Sequence, residues 1–163
     1  MRTRRKGFSL IELLIVVAII LIIAAIAIPN LLRARMAANE ASAVSSLRTL
    51  NTACITYNST YGGYPPRLDA LGPPAAGVNP DKTKADMIDQ VLAGTLNTAT
   101  KSGYTITYTP APPDINGNIP AYTINADPLV VNQTGLRQFF TDQSGVMRFR
   151  VGGPASASDP PLQ

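Results

Sequence analysis

Leu13 to Ile28 is an unbroken run of apolar side chains, and it decides most of what this chain can become. Counted from Phe8 to Leu32, the stretch covers about 25 residues, or roughly 37 Å of helix, which is long enough to span a bilayer. Glu12 is the one charge inside it, four residues after Phe8. A charge at the bilayer centre costs on the order of 2.5–3.5 kcal/mol on insertion scales, so an intramembrane acid is a functional suspect.

The charge balance sharpens the picture once it is split. The chain has 163 residues, 14 basic and 10 acidic, for a formal net charge of +4. Arg2, Arg4, Arg5 and Lys6 account for that excess, and from Phe8 onward the chain is neutral. The basicity therefore belongs to the N-terminal tip and not to a nucleic-acid-binding face, so no nucleic-acid partner is expected. A cationic tip before an apolar run marks the side that stays in the cytoplasm. The single cysteine, Cys54, rules out an internal disulfide and a cysteine-based zinc site. With no histidine, His-based triads and His metal sites are excluded too.

Three readings of the N-terminal segment compete. A secretory signal peptide has a basic start, an apolar middle and a small-residue cleavage site, which Ala25-Ile26-Ala27 imitates. Its weakness is that the apolar run is long and is interrupted by Glu12. A plain membrane anchor explains the length and nothing else. The third reading is a resemblance. Lys6-Gly7-Phe8-Ser9-Leu10-Ile11-Glu12-Leu13-Leu14-Ile15-Val16-Val17-Ala18-Ile19 resembles the N-terminal signature of type IV pilins and pseudopilins. The matching parts are a basic leader ending in Gly7, Phe8 after it, Glu12 as the fifth residue past the glycine, and Pro29 late in the run. The resemblance covers about the first fifty residues. It implies cleavage between Gly7 and Phe8 by a prepilin peptidase, which then methylates the new amine of Phe8.

Elementary electrostatics gives Glu12 a purpose under that reading. Before cleavage the Phe8 nitrogen is an uncharged amide. Afterwards it is an α-amine with an ordinary pKa near ~7.7–8, and methylation keeps its charge. A carboxylate and an ammonium attract strongly in a low-dielectric medium, and leaving either unpaired is costly. Phe8 and Glu12 stand at i and i+4 and can meet within one helix. The resemblance favours a pair between neighbouring subunits, which would set register. The plain alternative is an acid that snorkels to the headgroups near a helix end.

Beyond the apolar run the pattern predicts continuation of the same helix to about Tyr61. Pro29 is expected to kink it; the alternative is that Pro29 marks the anchor's end. Residues 31–61 are rich in helix formers. Ala43, Leu47, Leu50, Cys54, Tyr57 and Tyr61 recur at spacings of four and three and make one apolar stripe. Asn39, Glu40, Ser45, Arg48 and Thr52 lie off it. Gly62-Gly63 and then Tyr64-Pro65-Pro66 stop the helix. Cys54 on the stripe reads as a small buried hydrophobe.

From Tyr64 onward prolines and glycines dominate, a mark of short elements and turns. Leu68–Leu71 reads as one helical turn and Lys84–Ala93 as a helix, with Asp81, Asp86 and Asp89 on a polar face. Tyr104, Ile106 and Tyr108 alternate with threonines, and Tyr122–Ala126 repeats the pattern. Gln138–Thr141 and Val146–Arg150 flank a four-residue loop, with Met147, Phe149 and Val151 expected to face the core. Together these predict an antiparallel sheet of three to four strands against the stripe. Asp114–Asn118 offers oxygen ligands without the spacing of a calcium loop, so it reads as a solvated turn. Asn58-Ser59-Thr60 and Asn132-Gln133-Thr134 match a glycosylation acceptor pattern that is common by chance. Tyr57, Tyr61 and Tyr64 at near-helical spacing read as core or interface.

The expected fold is α+β: a long N-terminal helix, membrane-spanning in its first half, on a small antiparallel head. The expected organisation is a cleaved leader (1–7), a transmembrane or filament-core helix (8–29), its amphipathic continuation (30–61), a globular head (62–151) and a flexible tail (152–163). The chain is expected to do no chemistry itself, to need no cofactor or metal, and to sit in membrane lipid before assembly. The resemblance implies further partners: copies of itself, the peptidase–methyltransferase, an inner-membrane platform protein, an assembly ATPase and, where an outer membrane exists, a secretin. It implies an inner-membrane precursor that becomes a surface filament, or a periplasmic one for a type II secretion pseudopilin. The head lacks the paired C-terminal cysteines of many pilins. It also has no tryptophan and no match to the calcium-site region typical of the major pseudopilin, which favours the pilus subunit. The alternative from a different class is a periplasmic binding or adaptor protein that uses Phe8–Leu32 only as an anchor.

Overall fold

The computed structural model describes residues 8–162. The chain divides into two compact units between Arg35 and Met36. One helix, α1 (Leu10–Tyr61, 52 residues), begins in the first unit and carries Pro29 inside it. Ser9 stands at its N-terminal boundary, where its carbonyl accepts from Leu13 N at 3.3 Å. Pro29 has no N–H to offer the Ala25 carbonyl. The helix nevertheless continues through it, because the residues that follow favour helix and keep the ladder going on either side. Pro29 does not end α1. Gly62 does: its φ of +81° suits glycine, and its N–H closes on the Asn58 carbonyl at 2.9 Å.

In the second unit the stripe faces inward as its spacing predicts. Ala43, Leu47, Leu50, Cys54 and Tyr57 are buried, and Tyr61 packs partly exposed against the same cluster. Opposite lies a five-stranded antiparallel meander in the order β1-β2-β3-β4-β5. The strands are β1 (Thr98–Lys101), β2 (Tyr104–Pro110), β3 (Tyr122–Pro128), β4 (Arg137–Asp142) and β5 (Arg148–Val151). Register places Ile106 opposite Ala126 and Tyr108 opposite Ile124, so one face of β2 and β3 is apolar and the other carries threonines. Buried tyrosines keep their hydroxyls paired. Tyr108 donates to Pro65 O at 2.7 Å and Tyr104 to Arg137 O at 2.8 Å. Tyr122 donates to Asn51 Oδ1 at 3.0 Å, and Asn51 Nδ2 donates to Thr141 Oγ1 at 2.8 Å. That buried chain ties α1 to β3 and β4, and a fully paired polar network of this kind specifies one packing arrangement.

Five sequence expectations change. The sheet has five strands, because Thr98–Lys101 pairs with β2 although only Ala99 is buried in it. The helix expected over Lys84–Ala93 shrinks to α2 (Gln90–Ala93). Upstream, Ala85 N and Met87 N donate to Ala70 O and Leu71 O at 2.8 Å each, beside the 3-10 turn Leu68–Leu71. Asp86 takes a φ of +55°, which no α-helix allows. Asp81, Asp86 and Asp89 therefore share no helix face. Asp81 accepts from Thr83 N and Lys84 N in a turn, and Asp89 caps α2 by accepting from Leu92 N at 2.9 Å.

In β5, Met147 is buried beside the strand and Phe149 is partly buried, but Val151 at the strand's end is exposed. The final segment, read as a loose tail, is tied down. Asp159 is buried, accepts from Ser156 N at 2.7 Å and pairs with Arg150 Nε at 3.1 Å. The Asp159 carbonyl accepts from Arg148 at 2.7 Å, and Leu162 N donates to Met147 O at 2.7 Å. Ala155 is buried, and its carbonyl accepts from Asn125 Nδ2 at 2.9 Å.

Candidate assembly site

Among the described residues, nothing covers the apolar helix surface of the first unit. Large side chains from Leu10 to Ile28 are exposed, and Phe8 reaches 79%. Burying one such side chain is worth about 1.5–3 kcal/mol, so a run of this length demands lipid or protein around it. Among the described residues, α1 is the one helix long and apolar enough to cross a membrane.

At its start, Glu12 curls back so that Oε2 accepts from the Ser9 backbone N–H at 2.9 Å. This is the reach-back half of a capping box, with Ser9 at the N-cap and Glu12 at N3. The negative carboxylate also lies at the positive end of the helix dipole. Sequence reading singled out Glu12 and missed Ser9, although Ser9-x-x-Glu12 is the pattern that signals this cap. The geometry aims the carboxylate at the backbone one residue away from Phe8. One N–H occupies only part of its acceptor capacity, which is four lone-pair sites. Gly7 and the basic leader residues Arg2, Arg4, Arg5 and Lys6 lie outside the described residues. Pro29 lies on α1, remote in sequence from the Glu12 cap.

A second carboxylate, Glu40, lies off the apolar stripe and is nevertheless enclosed. Glu40 is buried at 6% exposure. Its Oε1 accepts from Leu136 N at 2.8 Å and Arg137 N at 3.1 Å, and its Oε2 accepts from Arg137 Nε at 2.8 Å. Burial pushes its pKa up, but the two backbone N–H groups and the guanidinium outweigh this and hold it below the usual value of 4.5. Asn39 beside it donates to Thr134 O at 2.8 Å, so the β3–β4 connection is latched to α1 at two points. Nothing in the spacing of Glu40 reveals this, since its partners lie on a distant strand.

The remaining candidates resolve into structural roles. Cys54 is fully buried, and burial pushes its thiol up to about 12, which makes it a packing residue. Asp114 Oδ1 accepts from Asn116 N and Asn118 N at 2.8 and 2.9 Å, closing a turn through Gly117. Among the described residues no three His, Cys, Asp or Glu side chains gather as a metal site. Tyr57 and Tyr61 pack with their rings tilted at a centroid distance of 4.6 Å, and Tyr64 meets Tyr122 edge-on at 4.8 Å, as core and rim. Asn58 is partly buried and Asn132 is exposed.

Comparison with known proteins places these features. Residues 2–28 match the prokaryotic N-terminal methylation motif. The chain is 71% identical over 35 residues to the type IV wide pilus major component PilA4 of Thermus thermophilus. It is 42% identical over 69 residues to the type IV major pilin protein PilA of Myxococcus xanthus. Over 72 residues it is 31% identical to the type II secretion system core protein G of Dickeya chrysanthemi. These alignments take in 22%, 42% and 44% of this chain, and 27%, 31% and 47% of the respective relatives. The chain thus spans less than half the length of the curated relatives it matches. No solved structure matches it.

Proposed function

We propose that this chain, whose methylation motif and relatives support a type IV pilin or pseudopilin, is the structural subunit of a type IV pilus-like filament. Its precursor sits once through the cytoplasmic membrane, with the leader on the cytoplasmic side and the head outside. The peptidase–methyltransferase cuts after Gly7 and methylates Phe8. Subunits then move from lipid into a filament in which the Phe8–Ile28 helices cover one another. The partners are other copies of the chain, an inner-membrane platform protein, an assembly ATPase and, where an outer membrane exists, a secretin.

The observation that carries this reading is the pairing of an uncovered apolar helix with a carboxylate turned toward its own N-terminus. Cutting after Gly7 places a cation within one residue of the Ser9 N–H that Glu12 already holds. Glu12 has acceptor capacity left for that cation, supplied by a neighbouring subunit. Pro29 supports the reading too, as the point where the missing N–H lets α1 bend during packing.

The second reading, a type II secretion pseudopilin, rests on the similarity to core protein G. The two separate by location, since a pilus subunit is recovered from sheared cell-surface material and a pseudopilin stays with the envelope. The central test is the mass of the mature N-terminus. A chain starting at N-methyl-Phe8 in the sheared fraction is expected. An intact Met1, or a start near Ile28, would reject the filament reading in favour of an anchor or a signal peptide.

A further inference from the structure

The far end of α1 holds a cleft that the filament reading does not use. It has a volume of about 450 Å³ and is walled by Tyr57, Tyr61, Tyr64, Arg67, Lys82 and the Asn116–Asn118 turn. Its walls are set by the fold. Tyr57 donates its hydroxyl to Lys82 O at 2.6 Å, and Tyr64 N donates to Ile119 O at 3.0 Å. Gly63 packs so closely on the turn that a Cβ there would lie 3.1 Å from Asn118 Cβ. Tyr61 and Tyr64 remain partly open, and no carboxylate lines the cleft.

The chemistry of the walls selects the occupant. Tyrosine faces carry negative charge density and attract the slightly positive C–H bonds of a ring ligand. Each open ring is braced by a second tyrosine, Tyr61 by Tyr57 tilted at 48° and Tyr64 by Tyr122 edge-on at 70°. Asn116 and Asn118 bring side-chain amides that both donate and accept. The last turn of α1 borders the cleft, and a helix C-terminus presents free carbonyls and a partial negative charge. That end rewards hydroxyl donors and keeps an anionic group away from its own carbonyls, on the cationic side of the cleft. The two charged residues on the wall are cations. Arg67 is engaged by Asp69 at 3.0 Å, whereas Lys82 makes no ion pair among the described residues. We infer that this cleft binds an acidic sugar, with its ring against Tyr61 and Tyr64, its hydroxyls on the Asn116–Asn118 turn and the helix end, and its carboxylate on Lys82.

The same uronate chemistry occurs in a free monosaccharide and in a polysaccharide, and titration separates them. The full chain in a sugar-free detergent is titrated with glucuronate, a glucuronate trimer, glucose, acetate and adenosine monophosphate, following tyrosine fluorescence. Glucuronate should bind about tenfold more tightly than glucose or acetate, the gain expected from one charge-assisted contact. A further gain with the trimer assigns the site to a polymer, and equal affinity to the monosaccharide. Lys82→Gln should erase the preference over glucose, and Tyr61→Ala should weaken both sugars. Tyr61 touches the core, so its variant counts only if Cys54 stays shielded from thiol reagents. Lys82 is exposed and carries the decision if it does not. The inference is overturned if glucuronate binds no better than glucose, if the nucleotide binds more tightly, or if Lys82→Gln leaves the ratio unchanged.

Discussion

Glu12 and Glu40 lie on the same helix and have opposite surroundings. Glu40 is buried and its partners are complete within the chain: two backbone N–H groups and a guanidinium from the start of β4 and the residue before it. Glu12 is exposed in an apolar segment and holds a single N–H, three residues back. The first carboxylate is finished when the head folds. The second has capacity left over, in a place where an unpaired charge is costly once lipid or protein closes round it. The same contrast separates the two units. The stripe of Ala43, Leu47, Leu50 and Cys54 finds its cover in the sheet, while Leu13–Ile28 finds none among the described residues. One helix thus meets its cover inside the fold along one half and, under the proposed function, in neighbouring subunits along the other.

The largest expected effect breaks the comparison at Glu12. Glu12→Leu should reduce sheared filament to below about a tenth of wild type, since losing one buried charge partner is worth several kcal/mol. Its urea midpoint should stay unchanged. Glu12→Gln sharpens the point, because an amide can still cap Ser9 N but offers no charge. It too should fail to assemble. Filaments from Glu12→Gln at the wild-type level would reduce Glu12 to a helix cap.

Glu40 should behave in reverse. Glu40→Ala strands the Leu136 and Arg137 N–H groups and should lower unfolding stability by about 2–3 kcal/mol, read by urea denaturation. A loss below about 0.5 kcal/mol would show that the latch is ornamental. Because its folded pKa is held down, Glu40 stabilises fully above the ordinary value of 4.5. That contribution fades as pH falls through the lower folded value. Wild type should therefore weaken on the acid side of about pH 4.5, and Glu40→Gln should show a flatter acid limb.

Smaller effects sharpen the boundary of the folded unit. Asp159→Asn should speed hydrogen exchange at the Leu162 and Phe149 amides, which bond to Met147 O and Pro160 O, and leave β2 and β3 untouched. Smallest of all, Cys54 should resist alkylation at pH 8 in the folded chain and react fully in urea, because burial pushes the thiol up to about 12.

Much of this was legible in the sequence, for definite reasons. The apolar run, the stripe and the Tyr-Thr alternation of β2 and β3 are periodic signals set by local geometry. The Asp114 and Asp142 turns show themselves through glycine at positive φ, in Gly117 and Gly145. What stayed hidden depends on partners far away in sequence. β1 has one inward residue and exists because β2 offers an edge. The residues before α2 look helical until their N–H groups are seen on Ala70, Leu71 and Gly72 carbonyls. Glu40 and Asp159 resemble surface acids until Arg137 and Arg150 arrive from other segments. In the assembly segment, Glu12 is marked by being the one charge in an apolar run, and Gly7 and Phe8 by the resemblance to the pilin signature. The Ser9 cap is written in the same stretch as Ser9-x-x-Glu12, a local signal that sits at the edge of the apolar run.

The central claim is that Glu12 is reserved for the Phe8 amine of a neighbour. Filaments assembled from an equal mixture of two subunit pools test it directly, one labelled with ¹⁵N at Phe8 and the other with ¹³C at the Glu12 carboxyl. Solid-state dipolar recoupling between the labels should show a contact, since in such a mixture it can arise only between chains. A contact present when both labels share one chain, and absent in the mixed filament, would place the pair within the subunit and contradict the account.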